Sequence, residues 1–189
     1  RFNAITFSGA ANEDHAAVNR ANIGVIRGSL SPEFHDWRPP QVADFARLAG
    51  TVRYGPSQSE ASVLADIGVL LDQLKAEMPG LEATVVRQHA GERPSMLPFE
   101  AEPGAAIVEA VGRAFRRVRG VDQVQGPVKP YCFYGTDAAH LKHRAAMPGI
   151  VCGPGGRYNT MPDERVDIPD YLDMIRIYLH AILDICEIA

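Results

Sequence analysis

The chain has 189 residues, 19 Lys+Arg against 23 Asp+Glu for a formal net charge of −4, with 46% hydrophobic and 22% charged residues. Those values describe a globular chain long enough to bury a core; they exclude a transmembrane run and argue against a generally basic, nucleic-acid-binding surface. Cys132, Cys152 and Cys186 lie far apart with no CxxC pair, which excludes a disulfide scaffold and a zinc knuckle and points to a reducing, cytoplasmic compartment.

Residues 2–8 read as a short strand ending at Gly9, and Asn22 to Arg27 as a second strand stopped by Gly28. Over residues 45–54, Ala46, Leu48, Gly50, Val52 and Tyr54 alternate with Arg47, Thr51 and Arg53, which predicts a half-buried antiparallel strand. Ser57 followed by Glu60 forms a capping-box pattern ahead of a helix with Val63, Ile67, Leu70, Leu71, Leu74 and Met78 on one stripe, stopped by Pro79-Gly80. Leu81 to His89 is rich in β-branched residues and predicts another strand. The first ninety residues therefore predict a small α+β unit, a helix on an antiparallel sheet.

Pro94, Pro98 and Pro103 mark a crossing between domains, placed at 92/93. Beyond it, Gly104 to Arg119 predicts a helix, 131–134 an extended stretch, and the region from about Asp137 another helix. Gly149 to Cys152 predicts a strand. A last helix opens near Asp167-Ile168-Pro169-Asp170, with Leu172, Ile175, Leu179, Ile182, Leu183 and Cys186 as its expected buried stripe. Alternating helices and strands predict an α/β layer whose sheet is at least partly parallel.

Two segments at predicted strand ends are where chemistry would gather: Gly135 to His140, and Gly153-Pro154-Gly155-Gly156 running on to Glu164. Glycines at 153, 155 and 156 let backbone approach a ligand and leave N–H groups for an anion, although neither GxGxxG nor a P-loop is present. His140 and His143 are three apart and can share a helix face; without a nearby acid they read as surface polar residues. No GxSxG elbow occurs.

Gly135-Thr136-Asp137-Ala138, Met147 through Gly155, Pro162-Asp163-Glu164-Arg165-Val166 and the closing amphipathic helix together resemble the C-terminal end of M20-type metallopeptidases. This family includes acetylornithine deacetylases, succinyl-diaminopimelate desuccinylases, aminoacylases and carboxypeptidases. In the first half, Val52-Arg53-Tyr54-Gly55-Pro56 resembles a strand of the family's lid, or dimerisation, domain. The resemblance implies residues 1–92 as an α+β lid with an antiparallel sheet. It implies residues 93–189 as the C-terminal part of an α/β catalytic domain, a mixed sheet flanked by helices.

The same resemblance implies a zinc-dependent amidohydrolase acting on N-acyl amino acids or small peptides, homodimeric through the lid, with neither nucleic acid nor membrane as partner. Arg53 would bind the substrate carboxylate, and Gly153, Gly155, Asn159 and Thr160 would line the substrate pocket. His15 is the imidazole nearest the place, around Asn12, where the family's oxyanion-stabilising lid His falls. The family's last metal-binding His is replaced by Thr160, and its lid Asn aligns near Pro40. The N-terminal half that carries most metal ligands has no counterpart in these residues, so those ligands are expected outside them. Only 12 residues separate Gly9 from Asn22, where the family places a long lid helix. Thr160 also supports an alternative, a catalytically impaired member acting as a binding or dimerisation protein.

Overall fold

Two stretches of β-branched and small residues pair in register: β1 (Arg20–Ser29) runs antiparallel to β2 (Phe45–Arg53), with Ala21 opposite Val52 and Arg27 opposite Arg47. The computed structural model describes residues 1–34, 42–88, 96–127 and 134–187. It divides the chain into two units, 1–94 and 95–189.

In the first unit, α1 (Glu13–Ala17) is a five-residue helix capped by the Asn12 side chain, which accepts from the His15 amide at 2.8 Å. It lies in the interval between Gly9 and Asn22, where the resemblance implies a long helix. After β2 comes α2 (Glu60–Glu77). Its reciprocal cap is Ser59 with Ser62, two residues later than the expected Ser57–Glu60 box, because Ser57 is used elsewhere. Val63 and Ile67 of α2 are buried against Phe7 and Ala21, with Ile5, Val52, Tyr54 and Leu71 packed around them, much as the helical stripe predicts.

Two strand expectations fail in this unit. Residues 2–8 form a 3-10 turn (Phe2–Ala4) followed by an unpaired segment. The backbone groups there are satisfied by side chains. The Ser8 amide donates to Asp66 at 2.7 Å, and the Phe7 and Ser8 carbonyls accept from the Gln58 amide at 3.0 and 2.9 Å. With its polar groups met in this way, the segment buries Phe7 without a neighbouring strand. Residues 81–88 likewise form no ladder, and Val86 is exposed; His89 lies outside the described residues. A β-rich composition does not make a strand where no partner edge pairs with it. On the face of β2 that carries Leu48 and Val52, the expected half-burial holds only at Val52, since Leu48 and its partner Ile26 are exposed and lie outside the buried cluster.

The second unit is built on α3 (Ala106–Arg119) and α5 (Ile168–Ile185), with α4 (Ala138–Ala145) as a shorter helix. Gly120, at φ 71°, ends α3 in the left-handed conformation that favours glycine. Val111, Ala114 and Phe115 of α3 interlock with Met174, Ile177 and Ala181 of α5, and Ile150 and Cys152 pack against them. The predicted α5 stripe is therefore overturned. Leu172, Ile175, Leu179 and Ile182 are exposed, Ile175 by 50%, whereas Ile177 is 0% exposed.

The physical reason is that α5 is apolar on two sides, so periodicity alone cannot choose between them. In the structure the Met174–Ile177–Ala181 side packs on α3, and ion pairs flank the seam: Arg119 with Asp170 and Asp173 at one end, and Arg113 with Asp184 at the other.

The mixed, partly parallel sheet expected for this half is not found among the described residues. They hold only the two-residue antiparallel pair β3 (Gly156–Arg157) and β4 (Arg165–Val166). Residues 149–152 lie along the helices instead, where the Cys152 carbonyl accepts from the Tyr178 hydroxyl at 2.6 Å. Of the expected extended stretch at 131–134, residues 131–133, including Cys132, lie outside the described residues. No helix among the described residues is long and apolar enough to cross a membrane.

Candidate functional site

The turn from β2 into α2, Tyr54 to Ser59, is short, and its polar side chains reach back to the segment around α1. Gly55 packs directly on His15: a methyl group at position 55 would lie 2.6 Å from the His15 carbonyl oxygen and 2.9 Å from its Cα. The Gly55 amide donates to the Gln58 side chain at 2.8 Å, and the other end of Gln58 holds the Phe7 and Ser8 carbonyls. Ser57 accepts from the Ala11 amide at 2.9 Å and sits 3.0 Å from the Gly9 carbonyl and 2.9 Å from His15 Nδ1. His15, only 8% exposed, is thus a buried helical residue.

Ser57 has one proton and two acceptors within reach. If the proton goes to Gly9, Nδ1 of His15 carries the hydrogen and donates to Ser57. If it goes to Nδ1, the ring proton sits on Nε2. The direction of the Ser57 O–H and the imidazole tautomer are therefore coupled, and only the second arrangement presents Nε2–H as a donor. Arg53 closes β2 two residues before Gly55, exposed and opposite Arg20. The same loop that continues from Arg53 grips His15, so two of the predicted site residues share one local scaffold.

In the second unit, the glycine loop is held by an internal anion. Asp170, in the first turn of α5, accepts from the Gly155 amide and pairs with Arg119. The expectation that the Gly155 N–H is left for a ligand is thereby corrected, because the protein's own carboxylate takes it. Gly153 lies beside the Tyr178 hydroxyl. Asn159 and Thr160 occupy the turn between β3 and β4, where the Asn159 side chain packs on Gly156. Tyr158, Thr160 and Asp163 all have positive φ, 58°, 63° and 65°. For a β-branched residue such as Thr160 that conformation costs about 1–2 kcal/mol.

Burial pushes the Cys152 thiol above its ordinary pKa, with Arg119 opposing the shift, and burial and Cys152 together raise the Tyr178 phenol. Both shifts favour the protonated forms, and the Tyr178 hydroxyl donates to the Cys152 backbone carbonyl rather than to its thiol. His143 bonds the Pro98 carbonyl at 2.8 Å and His140 is half-buried, as fits their reading as polar residues of α4. Among the described residues, no group of three or more His, Cys, Asp or Glu side chains could hold a metal ion. Thr160 supplies only a hydroxyl, a poor zinc ligand, so these side chains by themselves do not make a zinc site.

A family model described as Peptidase family M20/M25/M40 matches residues 12–184. The chain belongs to this family. Membership points to metal-dependent hydrolysis. No curated protein matches the chain.

Ser57, Gln58 and Asp170 are the organising residues that the sequence did not reveal. Ser57 was legible only as a helix cap, and nothing in the spacing marks Gln58 or Asp170 as clamps on distant backbone.

Proposed function

We propose that this M20/M25/M40 member is a cytoplasmic, zinc-dependent amidohydrolase that cleaves the amide bond of N-acyl amino acids or small peptides, and that it pairs as a homodimer through residues 1–92. The observation that supports this reading best is the continuity of the Arg53–Ser59 segment. An exposed arginine at the end of a strand is followed at once by the loop that seats a buried imidazole. In this reading Arg53 holds the free carboxylate of the substrate with a charge-assisted, bidentate contact. His15 acts in trans across the dimer, its imidazole donating to the oxygen on which negative charge develops. Zinc would polarise the scissile carbonyl and activate a water, although the side chains described above would not hold it by themselves.

The test is hydrolysis of a panel of N-acetyl amino acids by the complete polypeptide, with and without added zinc, alongside metal analysis of the purified protein. Zinc-dependent release of free amino acid, lost with a chelator and reduced about 10- to 100-fold in Arg53→Met, is the expected result. Absence of hydrolysis with zinc bound would overturn the enzymatic reading.

Thr160 favours a second reading, a binding or dimerisation protein on the same fold. Where the family resemblance places a metal-binding His, this chain has a hydroxyl held at positive φ. Under that reading N-acyl amino acids bind and are not cleaved.

A further inference from the structure

The paired strands β1 and β2 contain four charged residues, and all four are arginines: Arg20, Arg27, Arg47 and Arg53. The register places them in two directly opposed pairs, Arg20 with Arg53 and Arg27 with Arg47. Arg47 and Arg53 are six apart and share a face of β2 by simple alternation. Arg20 and Arg27 are seven apart, and in an unbroken strand they would point to opposite faces. Between Ile23 and Val25 the register shifts by one residue, Gly24, which is a β-bulge. That single extra residue brings Arg27 round to the face of the other three, opposite the face that carries buried Ala21 and half-buried Val52.

Like charges directly opposite one another in a ladder are destabilising, so the bulge creates an unfavourable pair that a regular strand would have avoided. The two pairs differ in what surrounds them. Arg20 spends its guanidinium on the Ala17 and Asn19 carbonyls, at 3.0 and 2.7 Å. Arg27 and Arg47 form no ion pair with an acid among the described residues. The Arg47 guanidinium instead lies over the Phe34 ring, 4.9 Å from its centroid. A cation–π contact occupies the flat face of a guanidinium and leaves its N–H edge available in the plane. Phe34 is itself held at φ 59°, an outlying conformation for a bulky residue, in a turn closed by its amide on the Ser31 carbonyl at 3.1 Å. Strain is thus stored in the residue that orients Arg47.

We propose that Arg27 and Arg47, with Phe34 beneath Arg47, form a binding site for a compact dianionic oxyanion, free phosphate or the phosphate of a small monoester. Opposed positions in a ladder have Cβ atoms about 4.5–5.5 Å apart, so both guanidinium forks converge on one tetrahedral group and offset its charge. The site stands on its own observations and does not depend on the hydrolase reading.

The experiment is a calorimetric titration of the full chain, in low-salt buffer free of phosphate and sulfate, with inorganic phosphate and separately with phenyl phosphate. Saturable one-to-one binding is expected, at least about tenfold weaker in Arg27→Gln and in Arg47→Gln and within about twofold of the parent in Arg20→Gln. Tighter binding of phenyl phosphate assigns the site to a monoester, and tighter binding of inorganic phosphate to the free ion. A melting comparison guards against misfolded variants. Without anion Arg27→Gln should melt above the parent, because the like-charge pair is gone, and phosphate should close that gap. No saturable binding of either compound, affinity retained in both variants, or a gap unmoved by phosphate would overturn the proposal.

Discussion

Exchanging glycine for alanine at two positions of the first unit should change its stability in opposite directions. At Gly55 the new methyl would lie 2.6 Å from the His15 carbonyl oxygen and 2.9 Å from His15 Cα and Cβ. Those are main-chain and near-main-chain atoms, and the Asn12 cap fixes them by accepting from the His15 amide at 2.8 Å, so the neighbour cannot yield by rotating a side chain. Forcing one methyl into such a contact costs about 1–3 kcal/mol.

At Gly68, inside α2, nothing beyond the helix's own backbone lies within 4 Å of the added methyl. There alanine restricts the unfolded chain and stabilises the helix by about 0.5–1 kcal/mol. The two variants should therefore differ by about 1.5–4 kcal/mol, or one to three orders of magnitude in the folding equilibrium. Urea denaturation of the full chain, with amide exchange of peptides covering residues 5–20 and 60–77, reads both effects within one unit. Gly55→Ala as stable as the parent, beside a Gly68→Ala that behaves as expected, would refute the claim that the 55–58 turn grips His15.

In the second unit, Ile177→Ala should cost about 2–5 kcal/mol, whereas Ile175→Ala, at a position 50% exposed, should stay within about 1 kcal/mol; thermal melts of the two variants decide it, and equal losses would contradict the assignment of the α5 face. Because burial raises the Cys152 thiol, the folded protein keeps that proton longer than the unfolded chain does. The associated stability is complete below the ordinary thiol pKa and is lost as pH rises through the raised value. Site-resolved mass spectrometry should then show exposed Cys186 alkylated well before Cys152 at pH 8, and equal rates would count against the buried position. Tyr178→Phe removes the hydrogen bond to the Cys152 carbonyl and should destabilise by about 0.5–1.5 kcal/mol in the same melts; no loss would show that the contact holds nothing.

Local patterns were legible where one side of an element is apolar and the other is not. α2 is an example, with Val63 and Ile67 inward as its periodicity predicts. The β1–β2 pairing was legible in outline, but the bulge at Gly24 was not, and it decides which face Arg27 occupies. α5 could not be oriented from sequence because its Leu172–Ile175–Leu179 side is as apolar as its Met174–Ile177–Ala181 side. The contacts that flank the packed side join residues 51 to 71 positions apart. Segments 5–8 and 149–152 have strand-like composition, yet their backbone groups are met by Gln58, Asp66 and Tyr178, which are long-range partners that no local window contains. Arg53 and His15 were both singled out from sequence. Their shared scaffold was not, because Ser57 and Gln58 act through tertiary contacts.

The proposed role of Arg53 is to hold a substrate carboxylate, and binding reports on it without requiring turnover. The measurement is the affinity of the full chain for an N-acetyl amino acid and for its carboxamide, in the parent and in Arg53→Met. The parent should prefer the acid by about 10- to 100-fold, and the variant should bind the two alike. A preference for the acid that survives in Arg53→Met would contradict it.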